Sequence, residues 1–285
     1  MKLGLVLEGG ASRTIFSCGI LDALLEQNIT ADYVIGTSAG ISYGVSYCSG
    51  QMGRNLTITE KYMADKRYMG VKHLLDPKNK SYYNLDFVFG EIPQKLVPFD
   101  VKAFTEYKGS CIAVLTDIES GKAEYMELPR EDMDFIGLRA SCALPILFRP
   151  IEFEGRKYMD GGLTDSIPFE KAIADGCDKV IVILTRPRGY VKKQEKTEPL
   201  IKAMYRKYPK LVENFENRPE AYNRSVKRLS ELEKEGRAFV IAPPDTHNIH
   251  RTERRPEILV PYYKEGAAYG RKIMPQILEY LKATS

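Results

Sequence analysis

Three short stretches carry residue types that could do chemistry together. The first is Gly36-Thr37-Ser38-Ala39-Gly40, a GxSxG pattern. A serine flanked in this way can sit on a tight strand-to-helix turn, where the backbone is strained and neighbouring Cβ atoms would clash. The helix that follows aims its N-terminal dipole at Ser38 and favours developing negative charge there. The pattern arises by chance in roughly one chain in ten of this length, so its weight comes from its place between an apolar run and a helix of small residues. The second stretch is Glu8-Gly9-Gly10-Ala11-Ser12-Arg13. It is neither a dinucleotide fingerprint nor a Walker loop. Small residues at a helix start instead expose several backbone N–H groups, the equipment of an oxyanion hole. The third is Asp160-Gly161-Gly162, a carboxylate at a strand end with two glycines that let the backbone pass close to another loop.

A serine nucleophile needs a base, and histidine is the usual one. The chain has His73, His247 and His250. The order Ser38, Asp160, then His247 or His250 matches that of the α/β-hydrolases. Two features oppose that reading. Ser38 follows only the second expected strand, and both late histidines lie in the polar stretch 246–250 after Pro243-Pro244. His73 reads as a surface residue or a hydrogen-bonded core residue.

The elements that must position these groups follow from hydrophobic patterning. Leu3–Leu7 is all apolar and suits a strand buried on both faces of a parallel sheet. Ile15, Ile20, Leu21, Leu24 and Leu25 recur with helical spacing, to an end near Gln27-Asn28. Residues 33–35 form the next strand, and a helix runs from 39 to about 51. This is a βαβ opening, which implies a parallel pair and a right-handed crossover. Residues 57–69 read as helical. Residues 76–98, rich in Tyr, Phe and Pro, read as irregular, a lid or cap whose 82–99 portion could line a pocket for an acyl chain. Strands at 111–115 and 123–128 form a hairpin, as do 149–153 and 157–159. A helix at 135–144 lies between them. A helix at 169–175 and a buried strand at 180–184 close the regular part. Charged helical sequence then covers 199–234, followed by a short strand at 239–241 and a last helix from 262 to 281.

With 285 residues, 44% hydrophobic and 28% charged, the chain can bury a large core without disulfide or metal staples. Its five cysteines are widely spaced with no CxxC and read as small buried residues of a reducing compartment. The apolar N-terminal run is too short for a signal segment, and no apolar stretch approaches a membrane span; the expectation is a cytoplasmic chain. A net charge of +4 is too small to imply nucleic acid. The positive charge is uneven, however, concentrated at 192–237 and at Arg251, Arg254 and Arg255. That asymmetry reads either as a solvated helical face or as peripheral contact with an anionic membrane surface.

Together these residues resemble the patatin-like phospholipase family. It combines an early Gly-rich loop ending in Arg or Lys, a GxSxG turn after the second strand, and a later Asp-Gly-Gly. Those features match Gly9 through Arg13, Gly36 through Gly40 and Asp160 through Gly162. Leu115-Thr116-Asp117 with Ser120-Gly121, and Arg139-Ala140-Ser141-Cys142-Ala143-Leu144-Pro145, also resemble it. The resemblance covers residues 3–185. It implies a three-layer α/β/α fold with a mostly parallel central sheet, here carrying a charged helical extension at 190–285 in one domain.

The resemblance further implies a Ser–Asp dyad without histidine. Ser38 would be the nucleophile, and Asp160 would take its proton and later activate water. The N–H groups of Gly10 and Ala11, helped by Gly9 and Arg13, would hold the oxyanion. Neither metal nor cofactor is implied. The reaction would be hydrolysis of a lipid or other acyl ester through an acyl-enzyme. Two alternatives share these residues: acyl transfer to another acceptor, and a silent protein using the loops as an anion nest. Ala11 and Thr14 depart from the family's glycines. An alanine there is expected to keep φ negative, and Thr14 to cap the following helix.

Overall fold

The computed structural model describes residues 1–283. Its strands are β1 (Leu3–Leu7), β2 (Tyr33–Thr37), β3 (Ser110–Asp117), β4 (Ala123–Glu127), β5 (Ile151–Phe153), β6 (Arg156–Asp160), β7 (Lys179–Ile183) and β8 (Ala238–Ile241). They join in one sheet of order β5-β6-β3-β2-β1-β7-β8, with β4 also paired to β3. The run β3-β2-β1-β7-β8 is parallel; beyond β3 the pairings turn antiparallel. Parallel strands must be covered on both faces, and the burial divides by strand alternation. Leu5, Leu7, Val34, Ile181 and Ile183 enter one apolar cluster, whereas Val6, Ile35, Val180 and Val182 enter another on the opposite face.

Up to β7 the helices are α1 (Ile15–Glu26), α2 (Ala39–Cys48), α3 (Arg54–Lys61), α4 (Val71–Leu75), α5 (Val101–Glu106), α6 (Ile136–Ser141) and α7 (Phe169–Ala174). The charged third adds α8 (Glu198–Met204), α9 (Pro209–Lys234) and α10 (Pro256–Lys282). Helix α10 lies along α1 on the first face. Gly19 and Gly266 meet the partner helix's backbone at Tyr263 O and Phe16 O, where no Cβ would fit. Tyr222, Leu229 and Leu232 of α9 enter the cluster on the other face. The three-layer arrangement and the mixed sheet with a parallel centre therefore agree with expectation.

Three local expectations need correction. Residues 87–96 are not irregular: Phe87–Leu96 winds as a π-helical segment containing Pro93, closed by Val97 N–H donating five residues back to Ile92 O at 2.8 Å. The aromatic and aliphatic side chains there pack inward, so tertiary contact holds a helix that local propensity would not. Helix α3 stops at Lys61, not 69, because Tyr62 leaves helical geometry. Helix α10 begins at Pro256, six residues before its expected start, with proline at the first turn where its missing N–H costs nothing.

Candidate active site

The sheet register gathers the three motifs. Leu7 lies beside Gly36 of β2, Thr37 beside Val114 of β3, and Leu115 beside Asp160 of β6. Ser38 and Asp160 thus emerge two strands apart at one sheet edge, with the Glu8–Arg13 loop leaving from the adjacent strand. Ligands bind at such edges of parallel sheets.

Ser38 sits at the N-cap of α2 with φ 55° and ψ −132°, a conformation that costs about 1–3 kcal/mol and is held only by its surroundings. Its N–H donates to Ser141 Oγ at 2.8 Å, and Ser141 Oγ donates to Val114 O at 2.8 Å. The fully buried Ser141 at the end of α6 therefore fixes the turn to the sheet. Gly40 lies against the end of β1, where a Cβ would come 2.6 Å from Leu7 O.

The loop after β1 approaches the serine closely: a Cβ on Gly9 would lie 2.9 Å from Thr37 O and 3.0 Å from Ser38 Cβ. Among the described residues, the N–H groups of Gly9, Gly10 and Ala11 meet no protein acceptor. The Arg13 N–H is taken by Gly10 O at 3.1 Å, so Arg13 offers its side chain and not its backbone donor. Ala11 has φ 49°, against the expected negative value; the loop turns back on itself there, and surrounding contacts carry the strain. Thr14 stands at the N-cap of α1 without a side-chain cap bond, its hydroxyl buried and unpartnered, so the expected capping role is absent.

Asp160 is only 1% exposed. Its Oδ1 accepts the Gly162 N–H at 2.7 Å, whereas its buried Oδ2 accepts no hydrogen bond. Burial raises the pKa of this carboxyl; the Ser38 hydroxyl, the Arg218 guanidinium and the Gly162 N–H act in the opposite direction. Ser38 and Asp160 line the same polar cavity, the hydroxyl close enough to favour the carboxylate though not joined to it by a hydrogen bond of ordinary geometry.

The histidines take no part in this arrangement. His247 is exposed, its Nε2 2.7 Å from Glu265 Oε2, and neither it nor His250 lines a cavity that Ser38 borders. His73 is a buried residue whose Nε2 lies 3.1 Å from Lys66 O, the hydrogen-bonded core case.

Two cavities meet at Ser38. One, of about 120 Å³, is lined by Val45 of α2, Val88, Phe89 and Ile92 of the π-helical segment, Leu138 of α6 and Phe148. The stretch expected to supply an apolar pocket thus does line one. The other, of about 300 Å³, holds the Gly9–Gly10–Ala11 loop, Asp160 and a group of cations.

Several contributors have no signature in the motifs. Glu8, fully inside the protein, accepts the Thr185 N–H at 2.5 Å and the Tyr222 hydroxyl at 2.9 Å. It ties the loop after β1 to β7 and to α9. Ser12 Oγ donates to Glu253 O at 2.7 Å, so the segment before α10 also braces that loop. Arg218 Nε donates to Gly162 O at 2.6 Å. Glu8, Ser12 and Ser141 lay within stretches already singled out, but not for these contacts; Arg218 and the partners Thr185, Tyr222 and Glu253 act from distant parts of the chain.

Fold and site together define an α/β protein built around a strained serine and a buried carboxylate. Residues 5–173 match the family model described as patatin-like phospholipase, and the chain belongs to that family. Residues 208–282 match a domain of unknown function, DUF6363. Among similar proteins, the uncharacterised protein YjjU of Escherichia coli K12 is 27% identical over 189 residues, 65% of this chain and 52% of that protein. A lysophospholipase, NTE1, of Scheffersomyces stipitis is 26% identical over 189 residues, 64% of this chain and 11% of that protein. The chain therefore spans about half the length of the first and about a tenth of the second. The fold is also that of VipD from Legionella pneumophila, with a TM-score of 0.50 over 96% of this chain and 67% of that one, at 14% identity. Among the described residues, no helix is long and apolar enough to cross a membrane.

Proposed function

We propose that this chain is a serine acyl hydrolase acting on lipid esters, working as one unit of core and C-terminal extension. Ser38 attacks the ester carbonyl while Asp160 takes the hydroxyl proton. The N–H groups of Gly10 and Ala11, with Gly9 beside them, receive the oxyanion, where each such donor is worth about 3–4 kcal/mol. Asp160 returns the proton to the leaving alkoxide, and the acyl group remains on Ser38. Water, deprotonated by Asp160, then releases the fatty acid. The acyl chain occupies the apolar cavity. The observation that carries this reading is the unpartnered, buried Asp160 Oδ2 on the same cavity as a serine held in a strained turn. A carboxyl whose pKa is raised is a better base than an ordinary carboxylate at neutral pH.

The test is covalent. A fluorophosphonate should add to Ser38, located by peptide mass, and purified protein should turn over a p-nitrophenyl acyl ester. Labelling without water-dependent release, but with product formation on added alcohol or lysolipid, would favour the acyltransferase. Neither labelling nor turnover would leave the silent anion-binding protein. Lipid substrate and peripheral contact with an anionic membrane belong to the same reading. On the outer face of α8 and α9, Lys202 already pairs with Glu198 and Glu216 and Arg228 with Glu231 and Glu235, so an anionic surface would have to compete with these carboxylates.

A further inference from the structure

We infer that Lys192, Arg218 and Arg251 from the C-terminal third, with Arg13 and Arg186, form a phosphate-binding subsite beside Ser38. The ester cleaved here would then carry a phosphate on its alcohol side. This deepens the hydrolase reading and rests on it for the word substrate, though not for the binding itself.

The argument starts from charge. These five cations, with Lys193 and Lys196 at the same cavity, share it with only three carboxylates, Glu8, Asp160 and Glu195. Glu8 is committed to Thr185 and Tyr222. Glu195 is shared, accepting from Arg218 at 3.0 Å and from Arg251 at 3.1 Å. Among the described residues, Arg186 and Lys192 have no ion pair; Arg186 lies over the Tyr190 ring at 4.5 Å and the Lys192 ammonium over the Tyr222 ring at 5.0 Å. Arg13 Nε is buried without a hydrogen-bond partner. Unpaired donors and like charges gathered in a partly buried cavity are unfavourable unless something offsets them. On the outer face of the same segment Lys202, Lys210, Arg224 and Arg228 each pair with a carboxylate, unlike Arg186 and Lys192 in the cavity.

The cluster is also built rigidly. The Lys192 backbone is clamped by Asn223, N–H to Oδ1 at 2.9 Å and Nδ2 to carbonyl at 3.1 Å. Arg218 is anchored to Gly162 O, and Glu195 holds both arginine forks. Burial and neighbouring positive charge push Arg13 down to about 10 and Lys192 down to about 7, and an anion placed among them would favour the charged form of both. A phosphate offers several acceptor oxygens to such forks and an ammonium, which a single carboxylate does not. Position completes the case. Ser38, Ala11, Leu144 and Arg251 border both cavities, so an ester held at Ser38 has an apolar wall on one side and cations on the other. That polarity fits a glycerophospholipid with one acyl chain in the apolar cavity.

The test compares a lysophospholipid with a monoacylglycerol of the same chain, below their critical micelle concentrations. Lys192→Met and Arg186→Gln should each lower the kcat/KM ratio of phosphorylated to neutral substrate about tenfold, because a site built for a polar group discriminates by it. An unchanged ratio in both folded variants would overturn the inference. Independently of turnover, glycerol 3-phosphate should raise the melting temperature of Ser38→Ala where glycerol does not, and should compete with p-nitrophenyl ester in the wild type. No protection and no competition would overturn the subsite even if a variant failed to fold. Equal protection by inorganic phosphate, with the lipid ratio unmoved, would overturn the lipid assignment in favour of free phosphate. Protection of Ser38→Ala by glycerol 3-phosphate alongside a wild type that cleaves no ester would sink the hydrolase and keep the subsite.

Discussion

The two cavities that meet at Ser38 are opposites. The apolar one is walled chiefly by side chains from α2, α6, the π-helical segment and Phe148, with Arg251 at its border to the other cavity. The polar one is assembled from the glycine loop, the Asp160 turn and residues reaching in from 186 to 251. The first needs only hydrophobic bulk of the right shape, so many sequences could build it. The second needs charges at fixed distances from one carboxylate, so its parts must be braced by hydrogen bonds from several elements. In the proposed reading, specificity for an acyl chain and specificity for a phosphate group would rest on different physics within one site.

The largest effects should come from the junction. Ser38→Ala should lower kcat/KM on an acyl ester at least about a thousandfold, as losing a nucleophile does elsewhere. Asp160→Asn should do the same, but with opposite effects on activity and stability. Burial raises the Asp160 pKa, so the folded state holds its proton more tightly than the unfolded chain. Stability is therefore lost as pH rises from the unfolded value towards the folded one. At pH 7 the neutral asparagine should melt higher than the wild type in calorimetry, and the gap should close in acid, where Asp160 of the wild type is protonated in the folded and the unfolded state alike. The same shift should place the acid limb of kcat/KM above the ordinary carboxylate range.

Smaller effects separate the two cavities. Ser141→Ala removes the acceptor for the buried Ser38 N–H. It should cost about 1–3 kcal/mol of stability in denaturant titration and lower kcat about tenfold with KM little changed. Val88→Trp should fill the apolar cavity and cut kcat/KM for long relative to short p-nitrophenyl esters about tenfold, leaving the phosphate preference as it was. Smallest of all, Ala11→Gly relieves the positive φ and should stabilise by about 1 kcal/mol. A loss of stability there would contradict the strained geometry of the loop.

What the sequence made legible divides along the same line. The glycine loop, the Ser38 turn and the Asp160 turn are local structures, in which neighbours along the chain create the geometry, and residue types alone expose them. The alternation of Leu5, Val6 and Leu7 likewise marks a strand covered on both faces. Ala11 could not be read this way, because its φ is set by contacts across the loop and not by its own preference. The π-helical winding at Phe87–Leu96 depends on inward packing of aromatics around a proline, which local propensity opposes. Ser141, Glu8, Lys192, Arg218 and Arg251 act only through tertiary placement. A basic third was visible as composition, but not that its unpaired cations converge on the serine.

The central claim is that Asp160 serves Ser38 without histidine. Steady-state kcat/KM on a p-nitrophenyl acyl ester, measured for Asp160→Asn beside a His247→Ala/His250→Ala double variant, tests it most directly. The account expects the first to be inactive and the second to match the wild type within about twofold. A folded histidine variant as inactive as Asp160→Asn would contradict it.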